Sequence, residues 1–183
     1  ISACGPSGDL ETAMKLLEAM PHTPDAHSFV SVLSAVSNTE ESATSASVQD
    51  IIRLADNAKA TTTFVLNAGL AALDRLGAFS AVQLLFEEGF LQRKLSPDII
   101  TYNTAIHSMG RHDPTLAVDI FSRMISDDSA IEADEQTYCS VIAALANSGL
   151  HEEALQVLES CPNHPQKSVN VYTEVLNACP PDA

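Results

Sequence analysis

The chain repeats itself, and that repetition limits what it can fold into more than any other feature. Thr101-Tyr-Asn-Thr-Ala-Ile106, Thr137-Tyr-Cys-Ser-Val-Ile142 and Val171-Tyr-Thr-Glu-Val-Leu176 place Tyr102, Tyr138 and Tyr172 at intervals of 36 and 34 residues. Leu66 stands 36 residues before Tyr102, and Phe29 a further 37 before that. A second phrase returns at a similar interval: Ala13-Met-Lys-Leu-Leu17, Ala81-Val-Gln-Leu-Leu85, Ala117-Val-Asp-Ile-Phe121 and Ala154-Leu-Gln-Val-Leu158. Each period thus holds two apolar segments. In the first, Tyr138, Val141, Ile142 and Leu145 follow helical spacing and Gly149 supplies a stop. The second opens on Glu152 and Glu153, which suit a helix N-terminus, and continues through Leu155 and Leu158. Pro24-Asp25 and Pro97-Asp98 are expected to break the second helix and open the next period. A lone two-helix unit cannot bury both apolar stripes, so neighbouring units must stack. The expected fold is all-α, a right-handed superhelical solenoid.

The register predicted by these phrases is a partial unit at 1–25, units at 26–62, 63–98, 99–134 and 135–168, and a first helix at 169–183. Unit 26–62 is the least regular, because its Ser/Thr-rich stretch 37–47 predicts a lengthened turn before a helix at 48–54. Residues 126–130 lengthen a second link.

Length and wording resemble the pentatricopeptide family, whose units of about 35 residues are cousins of the tetratricopeptide class. Ile99-Ile-Thr-Tyr-Asn-Thr-Ala-Ile106 and the closing Pro-Asp carry the resemblance, and the chain lacks the Trp of the tetratricopeptide signature. The resemblance implies a non-enzymatic module of a mitochondrion or plastid that binds single-stranded RNA, one base per unit. It further implies that the fifth and last residues of a unit read the base, and that Asn with Asp there favours uridine. Asn67 with Asp98 and Asn103 with Asp134 fit that pattern. Phe64 and Ile100 occupy the second position, implied to pack on base faces, and Arg75 and Arg111 occupy the late first-helix position, implied to approach phosphate. Other units depart from the pattern. Val30 offers no polar group; Cys139 pairs with Ser168, with Gln136 second and Asn147 at the cation position; Thr173 has its closing residue beyond Ala183.

Each of these residues also has a plainer reading. Asn67 and Asn103 suit local backbone bonding near a helix start, Asp98 and Asp134 suit N-caps, and Arg75 and Arg111 suit surface ion pairs. Charge adds a rival function. Nine Lys plus Arg against 24 Asp plus Glu give a formal net charge of -15, which opposes phosphate binding. The predicted first helices balance Asp74 and Glu174 against Arg75 and Arg111, so the acidic excess is expected on second helices and turns. The alternative is therefore a scaffold subunit that grips protein partners in a larger organellar assembly, without RNA contact.

No cofactor, metal or catalytic site is expected. Cys4, Cys139, Cys161 and Cys179 form no CxxC pair and are read as unpaired thiols of a reducing compartment; the six His have no ligand spacing, and no Gly-rich phosphate loop or nucleophile elbow occurs. Cys139 alone among the thiols falls near the expected groove. No apolar run is long enough to span a bilayer. The sequence opens at Ile1 without Met and is expected to be part of a longer product, with any targeting peptide upstream.

Overall fold

The computed structural model describes residues 15–22, 25–34, 49, 51–53, 55–56, 59, 61–126 and 131–161. The expectations for residues 1–14, Pro24, the turn at 37–47, most of the link at 126–130, Ser168 and the helix at 169–183 lie outside them. Two compact units divide the chain, Ile1–Thr104 and Ala105–Ala183. The first contains α1 (Ala26–Ser34), α2 (Thr63–Arg75), α3 (Phe79–Leu84), a π-helix (Leu85–Leu91) and the start of α4 (Ile99–Gly110). The second contains the rest of α4, then α5 (Pro114–Ser126), α6 (Glu135–Asn147) and α7 (His151–Ser160). Among the described residues there is no strand, and no helix is long and apolar enough to cross a membrane.

Within the first unit, α2 packs on α1, on α3 and on the π-helix. Its buried stripe of Val65, Leu66, Leu70 and Leu73 meets a core that includes Ile51, Leu85, Phe86 and Phe90. Tyr102 joins that core edge-on to Phe86, with ring centroids 5.9 Å apart. In the second unit α6 packs on α5 and α7, and Tyr138 meets Phe121 edge-on at 5.5 Å. In the three units whose fourth residue is described, that residue is thus an anchor. Leu66, Tyr102 and Tyr138 are all buried, and removing an apolar side chain of this kind costs roughly 2–5 kcal/mol.

Glycine ends two first helices in the same way. Gly77 (φ +67°) and Gly149 (φ +77°) adopt the left-handed conformation. Behind them the Ala78 amide donates to Leu73 O at 3.0 Å and the Leu150 amide to Leu145 O at 2.9 Å, closing a Schellman turn each time. The first helix and its partner are thereby joined by a tight, defined turn. In α4 the last residue, Gly110, is needed for space instead: a Cβ there would lie 2.8 Å from that of Ala144 in α6.

Three expectations need correction. Pro97 does not break the second helix: the π-helix has ended at Leu91, and the chain reverses at Lys94 (φ 56°), where the Leu95 amide donates to Phe90 O at 3.1 Å. That backbone closure stops the helix before proline is reached. Second, the wide π turn was not foreseen. It coincides with Gly89, where a Cβ would stand 3.1 Å from Leu85 Cδ1 and 3.2 Å from Leu66 Cδ1. Third, Arg111 lies one residue past α4, while Glu135 opens α6, so α1, α2, α4 and α6 carry Asp74, Arg75 and Glu135 and a net charge of -1.

Candidate nucleic-acid interface

The helices α2 and α4 begin at Thr63 and Ile99, so each presents its second and fifth residues from the first two turns. Residues three apart share a helix face. Phe64 and Asn67 therefore lie one above the other on α2, and Ile100 and Asn103 on α4. Their environments differ sharply. Phe64 is 59% exposed and Ile100 58%, although both are large and apolar, whereas Asn67 and Asn103 are buried at 9% and 7%. An apolar side chain held in water next to a sunken amide is a cost that the fold does not require.

Around Asn67 the polar groups close into a small network within the first unit. Asn67 Nδ2 donates to Asp98 Oδ1 at 2.9 Å and lies 3.1 Å from Oδ2. Thr101 Oγ1, wholly buried, lies 2.7 Å from Asn67 Oδ1 and 2.9 Å from Asp98 Oδ1. The Thr101 amide donates to Asp98 Oδ1 at 2.8 Å, and the Asp98 amide donates to Thr101 Oγ1 at 3.1 Å. Asp98 consequently does two jobs: it caps the start of α4 and it holds the amide of the preceding repeat. Burial pushes its carboxyl upward, but the hydrogen bonds from the Thr101 amide and the Asn67 side chain more than offset this and hold it below the ordinary aspartate value. It is a fixed anion at neutral pH.

Asp134 stands in the same relation to α6. Its carboxylate accepts from the Thr137 amide at 2.9 Å and the Thr137 hydroxyl at 2.9 Å, while its own amide donates back to Thr137 Oγ1 at 3.2 Å, a complete capping box. The N-cap readings of Asp98 and Asp134 thus hold in hydrogen bonds, and at Asp98 capping coexists with the contact to Asn67. The hydroxyls Thr101 and Thr137 were not among the predicted site residues. Their signal was in the sequence all the same, as a Thr three residues after each closing Asp.

The predicted cations sit near first-helix ends. Arg75 closes the last turn of α2, where a positive charge suits the helix dipole, and its side chain is exposed. Arg111 is exposed too and lines a concavity of about 320 Å³ with His107, His112, Ser140 and Asn147, a wall rich in donors. Cys139, at the fifth position of α6, is half-buried. Among the described residues no three His, Cys, Asp or Glu side chains gather as a metal site would require.

A family model described as PPR repeat matches residues 1–22 and 136–162. The two matched segments are similar to PPR repeats and together span 49 of the 183 residues. The second match takes in α6 and α7, both helices of one repeat. PPR repeats form helical solenoids, and PPR proteins are generally non-enzymatic, RNA-binding and mostly organellar. The units carrying Asn67 and Asn103 fall between the two matched segments. No curated protein matches the chain at a significant level.

Proposed function

We propose that this chain binds single-stranded RNA along its first helices, taking two successive uridines through Asn67 with Asp98 and Asn103 with Asp134. The observation that carries the reading is the Asn67–Asp98 pair: an amide hydrogen-bonded to an ionised carboxylate, sunk beside the exposed ring of Phe64. In this arrangement Phe64 and Ile100 stack on base faces. Each such stack contributes roughly 1–3 kcal/mol by truncation. The amide donates to a uracil carbonyl while the carboxylate accepts the neighbouring N3–H, and Arg75 and Arg111 approach the phosphates. The organelle is the setting that the family suggests.

The formal charge of -15 supports a different occupant, a protein subunit with a basic surface. Fluorescence titration with uridine-rich and adenosine-rich strands at low salt decides between them. Wild type is expected to prefer the uridine-rich strand, and Asn67→Ala and Asn103→Ala to lose that preference. Equal binding by wild type and variants, or no binding at all, leaves the scaffold reading standing and overturns this one.

A further inference from the structure

The placement of one proton decides what Asn67 presents to a ligand. The Asp98 carboxylate only accepts, so the amide must turn Nδ2 toward it, as the 2.9 Å and 3.1 Å distances require. That leaves Asn67 Oδ1 facing Thr101 Oγ1 at 2.7 Å. The hydroxyl has a single hydrogen, and Asp98 Oδ1 stands 2.9 Å away as a competing acceptor. Asp98 Oδ1 already receives the Thr101 amide at 2.8 Å and the Asn67 amide at 2.9 Å, whereas Asn67 Oδ1 has no other donor among the described residues. A hydrogen directed at Asn67 Oδ1 leaves both acceptors with a donor, whereas one directed at Asp98 Oδ1 would leave the buried Asn67 carbonyl with none. The oxygen of Thr101 then accepts the Asp98 amide at 3.1 Å, and both Asn67 Oδ1 and Asp98 Oδ1 have a donor.

We infer that Thr101 is a positioning residue for base selection: its buried hydroxyl occupies the carbonyl of Asn67, so that the amide presents only an N–H, beside the carboxylate of Asp98. This rests on the RNA reading proposed above. A donor next to an acceptor matches a base edge that carries a carbonyl beside a ring N–H. Uracil has that edge, and so does guanine. Cytosine and adenine carry an amino group beside a bare ring nitrogen, and in the same pose that nitrogen meets the carboxylate, acceptor against acceptor.

The distribution of hydroxyls along the chain supports the assignment independently. Threonine stands at the third position of a repeat where the preceding fifth residue is Asn, as in Thr101 after Asn67 and Thr137 after Asn103. Where the fifth residue is Val30 or Cys139, the corresponding third residues are Val65 and Val171. Amide and hydroxyl come and go together. Capping alone does not explain this, because Thr62 caps α2 without any hydroxyl at position 65.

The test compares Thr101→Val, which keeps the shape and removes the hydroxyl, with Thr101→Ser, which keeps the hydroxyl. Affinities of the 183-residue chain are measured by fluorescence anisotropy for short single-stranded RNAs identical except at the nucleotide whose preference Asn67→Ala abolishes. Wild type and Thr101→Ser should retain the preference for uridine over cytidine, and Thr101→Val should lower that ratio roughly tenfold. A purely structural role would weaken all the RNAs alike and leave the ratio untouched, which overturns the inference while the RNA reading survives. No base preference in wild type overturns both. The lock itself is read without RNA, from hydrogen exchange of the Asn67 side-chain amide in 15N–1H spectra: slow in wild type and Thr101→Ser, fast in Thr101→Val. Equal exchange in wild type and Thr101→Val also overturns the inference, whatever the RNA result.

Discussion

Going into α2, Thr62 accepts one hydrogen bond, from the Val65 amide at 3.3 Å, and nothing further is asked of it. Going into α4, Asp98 accepts from the Thr101 amide and also from Asn67 of the previous repeat. Both joints lie in the first compact unit and start a first helix. The difference teaches that capping needs only a short side-chain oxygen, so the bond from the carboxylate to the amide of the preceding repeat goes beyond what a cap requires. That extra bond, beside a ring left in water at 59% exposure, is what the proposed RNA reading uses.

The sharpest way to break this comparison is to truncate both joints. Asp98→Ala removes the cap and strands the donors of a buried amide, and is expected to cost about 2–3 kcal/mol in urea denaturation. Thr62→Ala should cost about 0.5–1 kcal/mol. Equal losses would make Asp98 an ordinary cap. A graft sharpens the same contrast: Val30→Asn, Thr62→Asp and Val65→Thr together rebuild the second joint at the first, and should raise affinity for a strand with one additional uridine by about tenfold.

Acid offers a subtler probe. The folded-state pKa of Asp98 lies below its unfolded value, so its stabilising share is complete above the unfolded value of about 3.9 and is lost as pH falls through the lower folded one. Asp25 and Asp113 are lowered by their own hydrogen bonds to Ser28 and Thr115 and act in the same direction. Asp98→Asn should therefore flatten part of the acid limb of the stability curve, while Thr62→Ala leaves it unchanged. The smallest effect is on salt. Losing one phosphate contact through Arg75→Gln should reduce the slope of log affinity against log salt by about 0.7, roughly a threefold change between 50 and 200 mM.

Much of this was legible from residue spacing, and the reasons are specific. The fourth position is Leu66, Tyr102 or Tyr138, large enough to anchor a core and regular enough to expose the period. Gly149 announced its turn because few other residues tolerate φ +77°. The π-helix at Leu85–Leu91 was illegible, since over two turns the buried pair Phe86 and Phe90 fits an α-helix equally well. The end of that helix was misread for a related reason: Pro97 is the conspicuous residue, but the backbone closes first, at Lys94. At the candidate site, the residue types at Asn67 and Asp98 suggested a pair, and only coordinates give the 2.9 Å between them. Thr101 was invisible as anything beyond a helix-start residue, because its second partner lies 34 residues away.

The bond from Thr101 to Asn67 has a practical corollary for anyone who shuffles these modules. A cassette cut between Asp98 and Ile99 looks natural, yet it hands the hydroxyl to one donor gene and the amide to another. Exchange points placed after residue 101 would carry the whole selector along, so the portable piece is longer than the repeat by three residues, Ile99, Ile100 and Thr101.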